Sequence, residues 1–325
     1  MFKERHSQRG ASLLLLLFLV TGIGASIFLS AWNSSRAQQE RQRQTSIALQ
    51  TAKEALIGDA ATYQAAGGTR RPGRLRCPEL LSTGSPTEGQ AQTSCTTQAS
   101  RLGRFPWNTL NTERLVDGDG EPLWYAVSPG FSSSPINSST QGQLQIDGTP
   151  NAAVAIIIAP GAPLPGQVRS SPSATNPPQP SNYLDLTNAM GAAFVTNAPA
   201  STLNDRVIIV TQSELFAAAN KVVLAEVRGL DDQAPGLPIN GLRRYYRDNG
   251  QFPWAAPIGG GNATPNQITG GLPFNDLLFT GSLAWLTANN WLAQIGYTRI
   301  SANSAQINIG STVMKVVPCT ALPCP

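Results

Sequence analysis

Three acidic side chains crowd into the stretch Asp117-Gly-Asp-Gly-Glu121. Carboxylates spaced by glycines are how a loop wraps a hard cation such as calcium in oxygen ligands. Asp117, Asp119 and Glu121 are therefore the candidate metal ligands. The run lacks the twelve-residue frame that closes on a Glu, so an acidic Asp-Gly turn ahead of a strand at Leu123 is the competing reading. No other cofactor is implied. Gly259-Gly-Gly261 lacks the Lys and Ser/Thr with which a glycine loop holds phosphate. The one histidine, His6, stands near the N-terminus, so the body has no residue for Ser-His-Asp or Cys-His catalysis or for a histidine metal site. With the commonest general base missing and no clustered acid and nucleophile, no catalytic residue is assigned and the chain does not read as an enzyme.

Four cysteines, Cys77, Cys95, Cys319 and Cys324, sit in Pro-rich surroundings without the paired spacing of a zinc site. An even set of this kind fits disulfides in an oxidising compartment. Three pairings are open, and short separations favour Cys77–Cys95 and Cys319–Cys324. Arg70, Arg71, Arg74 and Arg76, with Arg101 and Arg104, form the densest basic stretch. A nucleic-acid binder needs a concentrated basic footprint. The net charge is only +4, however, so the arginines read as a solvated loop and nucleic acid is not an expected partner. Trp107, Trp124 and Trp254 could form a ligand platform, though aromatics of this kind more often fill a core or an interface.

The elements that position these residues are those of a folded chain: 41% of its 325 residues are hydrophobic, which excludes global disorder. Only 13% are charged, which argues against a long coiled coil, and 30 Gly and 25 Pro require many turns. Ala11–Trp32 carries no charge over 22 residues. As a helix it would be about 33 Å long, matching a hydrocarbon core of roughly 30 Å. It predicts a transmembrane helix at 11–32, with ordinary signal-peptidase removal near Trp32 as the rival. Ala48, Ala52, Ala55, Leu56, Ala60 and Tyr63 then recur at helical spacing, so one helix can run from Ala11 to the Gly67-Gly68 stop. Strands are expected at Leu123–Val127, Leu144–Ile146, Ala152–Ala159, Arg206–Thr211, Gln306–Ile309 and Thr312–Val317. Thr211-Gln-Ser-Glu214 is a capping box that opens a helix, and Ile239–Asp248 forms another. Gly58-x4-Tyr63-x3-Gly67 echoes Gly241-x4-Tyr246-x3-Gly250, and Gly103-Arg-Phe-Pro-Trp107 echoes Gly250-Gln-Phe-Pro-Trp254. These echoes suggest a duplication, with residues 69–102 inserted in the first copy.

Gln8-Arg9-Gly10 followed by Ala11-Ser12-Leu13-Leu14 resembles the prepilin-peptidase site of type IV pilins and type II secretion pseudopilins. Leu242–Pro253 resembles the helix end and Asn-Gly-x-aromatic-Pro turn of pseudopilins, and Asp117–Gly130 their Trp-Gly-x-Pro-Tyr and Ser-Pro-Gly stretch. The sequence departs from the family at Ala11, where most members carry Phe, and at Leu15, where most carry Glu. The resemblance implies cleavage between Gly10 and Ala11, with methylation of the new terminus. The fold it implies is α+β: a long N-terminal helix, membrane span plus amphipathic half, packed on antiparallel sheet, with a second pilin-like α+β unit. Domains follow as leader 1–10, transmembrane helix 11–32, first head domain 33–212 with its Cys-containing insertion 69–102, and second domain 213–325. The implied function is that of a minor pilin or pseudopilin, a tip or initiating subunit of a type IV pilus or type II secretion pseudopilus. Its implied partners are other such subunits, the inner membrane and prepilin peptidase. The chain would be single-pass in the inner membrane with its head in the periplasm, or at a pilus tip on the cell surface. The alternative is an inner-membrane-anchored exported binding module that never enters a filament.

Overall fold

The computed structural model describes residues 8–65, 69–79, 87–133, 135–169, 173, 177–229, 240–277, 279 and 284–319; ahead of Ser35 it describes the side chains of Leu16 and Leu19 alone. Helix α1 runs from Gln8 to Ala61. Ala48, Ala52, Leu56 and Ala60 return every four residues, so they share one stripe of the helix. With Leu49, that stripe is buried against the head. Every residue from Ser35 to Gln44 is exposed. This stretch is Gln, Arg, Glu, Ser and Ala, and a helix that is polar all round stays in water.

The stripe packs on an antiparallel sheet of β1 (Leu102–Arg104), β2 (Trp124–Val127), β5 (Ala155–Ala159) and β7 (Arg206–Val210), in that order. Both of its faces are covered. Tyr125, Val127, Ile157 and Val210 join the core under α1, while Leu102, Trp124, Ile156 and Ile158 face a second cluster with Tyr183, Leu184 and Phe194. Burial on both faces is why β5 is an unbroken apolar run instead of an alternating one. Beyond the second cluster lies a small sheet of β3 (Leu144–Ile146), β4 (Thr149–Ala153) and β6 (Ala193–Phe194), in which β3 and β6 pair in parallel.

The C-terminal part begins with α2 (Gln212–Arg228). The Thr211 hydroxyl accepts from the Glu214 amide and the Glu214 carboxylate accepts from the Thr211 amide, closing the predicted box. Leu215, Phe216, Ala219, Val223 and Val227 fill the same core as α1. Helix α3 (Gly241–Asn249) starts at a residue that must be glycine: its φ is +71°, and a Cβ there would lie 2.3 Å from the Val227 carbonyl oxygen. An antiparallel sheet of β8 (Thr269–Gly271), β9 (Gly296–Ser301), β10 (Ser304–Ile309) and β11 (Thr312–Val316) completes the chain. Its β10 alternates buried Ala305, Ile307 and Ile309 with half-exposed neighbours, the pattern of a sheet packed on one face. A short helix, α4 (Ala284–Ala288), brings Trp285 into the core, which is continuous from Ala48 to Val316.

The expected fold class is corrected on two counts. Among the described residues no helix is long and apolar enough to cross a membrane. The side chains of α1 from Ser35 to Gln44 are exposed, those beyond carry a buried stripe on one face only, and Ala11–Trp32 lies, Leu16 and Leu19 apart, outside the described side chains. The architecture is mixed α+β, but the described residues hold three sheets, one of them part parallel, where a simple antiparallel sheet in each of two units was expected.

Candidate functional site

The acidic run at 117–121 turns inward to fasten the head to α1. Asp117 is 1% exposed. Its Oδ1 accepts from the amides of Asp119 and Glu121, both at 2.9 Å, and its Oδ2 from the amide of Gly161 at 2.8 Å. The turn so formed lies flat on α1. The Gly118 amide donates to the Thr45 hydroxyl at 2.9 Å, and a Cβ on Gly118 would lie 2.2 Å from the Arg41 carbonyl oxygen. The other two carboxylates point elsewhere: Asp119 pairs with Arg41 at 3.6 Å and Glu121 with Arg169 at 3.4 Å. The three candidate ligands do not converge on one point, and no group of three metal-ligating side chains is found among the described residues. Their arrangement fits the Asp-Gly turn.

Further along the same helix face, Lys53 Nζ meets Glu214 of α2 at 2.6 Å, and Arg76 grips Asp59 through two bonds of 2.9 and 3.0 Å. Arg206 reaches the Gln42 carbonyl and the Ser46 hydroxyl at 3.1 and 3.2 Å. The arginine-rich stretch is therefore not the solvated loop expected of it. Arg70 pairs with Glu226 of α2, and the guanidinium groups of Arg74 and Arg76 lie 5.2 and 4.1 Å from the Tyr63 ring centroid.

Cys77 and Cys95 are joined by a disulfide. Cys319 is disulfide-bonded as well, and Cys324 lies outside the described residues. Gly10 and Ala11 fall in the backbone of α1, their side chains outside the description.

Beside the Cys77–Cys95 staple, Glu79 and Arg104 face each other across an antiparallel bridge; the Glu79 amide donates to the Arg104 carbonyl at 2.9 Å, and the Arg104 amide donates to the Glu79 carbonyl at 3.1 Å. Both side chains are buried, at 5% and 7% exposure. Two cavities share them. One, of about 300 Å³, adds Glu88, Arg114, Glu121 and Arg169; the other, of about 470 Å³, adds Ala99, Leu102, Trp124, Pro180 and Met190. The Arg104 guanidinium donates to the Pro122 carbonyl at 3.0 Å and rests 4.8 and 4.5 Å from the ring centroids of Trp124 and Tyr183. Burial lowers its pKa and raises that of Glu79, whose carboxylate the Gly89 amide helps to hold ionised.

Sequence reasoning missed Glu79, Arg104 and Tyr183 as a group. The signal lay in the internal echo, where Arg104 occupies the position that the second copy gives to the neutral Gln251. The echo itself has a structural counterpart. Phe105 and Phe252 are both buried, and each is followed by a strand bearing a buried Tyr; the Tyr125 hydroxyl donates to Arg76 O at 3.0 Å and that of Tyr297 to Pro253 O at 2.9 Å. The three tryptophans do not gather: Trp124 stacks near Tyr183, Trp107 covers Gly89, and Trp254 lies under Arg299.

No family profile matches the chain, and neither a curated protein nor a solved structure matches it significantly.

Proposed function

We propose that the chain is a minor pilin or pseudopilin, a structural subunit at the tip, or at the start, of a type IV pilus or type II secretion pseudopilus. The observation that carries this reading is the way α1 leaves the head. From Thr45 onward one stripe is locked into the core, from Ser35 to Gln44 every side chain is exposed and the head touches the helix only near Arg41 and Gln42, and nearer its start Leu16 and Leu19 are 66% and 57% exposed. A rod held at one end by a folded head, with Leu16 and Leu19 bare toward the other, offers apolar surface on which like rods can pack.

The Gly10–Ala11 junction supports processing by prepilin peptidase, and Leu15 supports the tip. A subunit within the shaft needs a carboxylate near that position to meet its neighbour's N-terminal amine, because a buried, unpaired charge is costly. A subunit that comes first meets no earlier amine. The subunit would work at the inner membrane, with the head on the oxidising periplasmic side, where the Cys77–Cys95 bond persists.

Mass spectrometry of the mature N-terminus in cells that contain the processing peptidase tests the reading. A start at methylated Ala11 is the expected result. An intact Met1 or a start at Trp32 overturns it, and crosslinks that place the chain repeatedly along a shaft overturn the tip assignment.

A further inference from the structure

We propose that the cavity of about 470 Å³ beside β1 binds a free α-amino acid with an apolar side chain, its carboxylate on Arg104 and its ammonium on Glu79. The inference is independent of assembly into a filament.

It starts from charge. Residues directly opposed on paired antiparallel segments send their side chains to the same side, so Glu79 and Arg104 share one wall. Opposite charges so placed normally pair. Those of the adjoining cavity do, Arg114 with Glu88 at 3.5 Å and Arg169 with Glu121 at 3.4 Å. Glu79 and Arg104 do not: among the described residues neither has an ion-pair partner within 4.0 Å. Arg104 spends one donor on the Pro122 carbonyl, yet a guanidinium carries five, and none of its nitrogens is sealed from the cavity without a partner. Two opposite charges that are more than nine-tenths buried attract each other, and Arg104 also feels Glu121, but no ion pair closes at contact distance, so desolvation is only partly offset. A molecule that brings both a carboxylate and an ammonium completes both pairs at once.

The remaining walls choose the kind of zwitterion. Leu102, Trp124, Ala99, Pro180 and Met190 give an apolar lining, and the volume lies within the range of small-molecule sites, roughly 300–1,000 Å³. A charged side chain would find no counter-charge beyond Glu79 and Arg104 there, only the carboxamides of Gln98 and Gln179. A fatty acid would satisfy Arg104 and leave Glu79 facing a second anion, and an amine would do the converse.

The test is calorimetric titration of the full chain in detergent with L-phenylalanine and L-leucine, beside N-acetyl-L-phenylalanine, L-phenylalanine amide and L-aspartate. Both apolar amino acids are expected to bind. Each blocked form should bind at least about tenfold more weakly, the loss expected when one charge-assisted contact goes unmade. Glu79→Gln should weaken L-phenylalanine by a similar factor and leave N-acetyl-L-phenylalanine unchanged. Met190 is 66% exposed at the rim, so Met190→Trp should block the cavity and abolish binding without altering the melting temperature. Equal binding of free and blocked forms, binding that survives Met190→Trp, or no heat with either apolar amino acid at millimolar concentration overturns the proposal.

Discussion

Replacing Asp117 by Ala separates a structural carboxylate from a metal ligand. The side chain is 1% exposed and accepts three backbone bonds of 2.8–2.9 Å. A hydrogen bond to a charged group contributes about 1.5–3 kcal/mol, and donors left buried and unsatisfied cost a similar amount. The three bonds share one carboxylate and are not additive, so we expect a loss of about 3–6 kcal/mol in total. That is a large share of the roughly 5–15 kcal/mol that holds a typical fold. Asp119→Ala removes only a surface pair whose side chains are 54% and 31% exposed, and should cost about 1 kcal/mol or less. Glu121→Ala leaves Arg169, 6% exposed, without its carboxylate and should cost about 1–2 kcal/mol, held to that because Arg169 keeps its bonds to the Gly161, Asn182 and Tyr183 carbonyls. Urea unfolding followed by tryptophan fluorescence reads the difference. With a slope of about 3 kcal/mol per molar, the Asp117→Ala midpoint falls by about 1–2 M and the other two shift little. If all three variants lose the same stability, or if calcium raises the wild-type midpoint and none of the variants responds, the fastening role is refuted and a cation site takes its place.

Other outcomes follow from the same geometry. Gly118→Ala forces a Cβ to within 2.2 Å of the Arg41 carbonyl and strains the Thr45 bond. It should cost about 1–3 kcal/mol and speed amide exchange at residues 41–46, without opening α2. Burial, opposed by bonds from the Asp185 amide and Asn188, raises the Asp205 pKa to about 7, against an ordinary value of 3.8. Between these values the folded chain holds a proton that the unfolded chain has lost, so stability should fall as pH rises from about 4 to 7. Asp205→Asn should flatten that slope in urea titrations run at several pH values. Changing Cys77 and Cys95 together to Ser releases a loop with a sequence separation of 18 and should cost about 2–4 kcal/mol, read as a lower urea midpoint under non-reducing conditions.

Local signals carried much of the fold. The four-residue spacing of Ala48, Ala52, Leu56 and Ala60 and the capping box at Thr211 each depend on neighbours within one turn, and both appear where the sequence put them. The strand predicted over Ala152–Ala159 is broken at Val154, where the chain turns out of β4 into β5. The parallel pairing of β3 with β6 joins residues nearly fifty apart across a proline-rich loop, and no local pattern encodes it. The site follows the same division. The Asp-Gly turn was legible as one of two readings, but the Gly161 amide that completes its bonding lies far along the chain. Arg104 read as solvated because its burial comes from Trp124 and Tyr183, supplied by a separate strand and a distant loop.

The seating of α1 has a mechanical consequence. The helix lies lengthwise against β5, β7 and α2, and its ties at Asp59–Arg76 and Lys53–Glu214 flank the buried stripe. Tension applied to its N-terminal end must drag Ala48, Ala52, Leu56 and Ala60 past their neighbours in a single sliding event, breaking both ties together. A sideways tug at the same end would instead lift one turn at a time, beginning with the contacts at Arg41 and Gln42. The head therefore resists a pull in line with the rod far better than one that levers it outward, so its grip is directional.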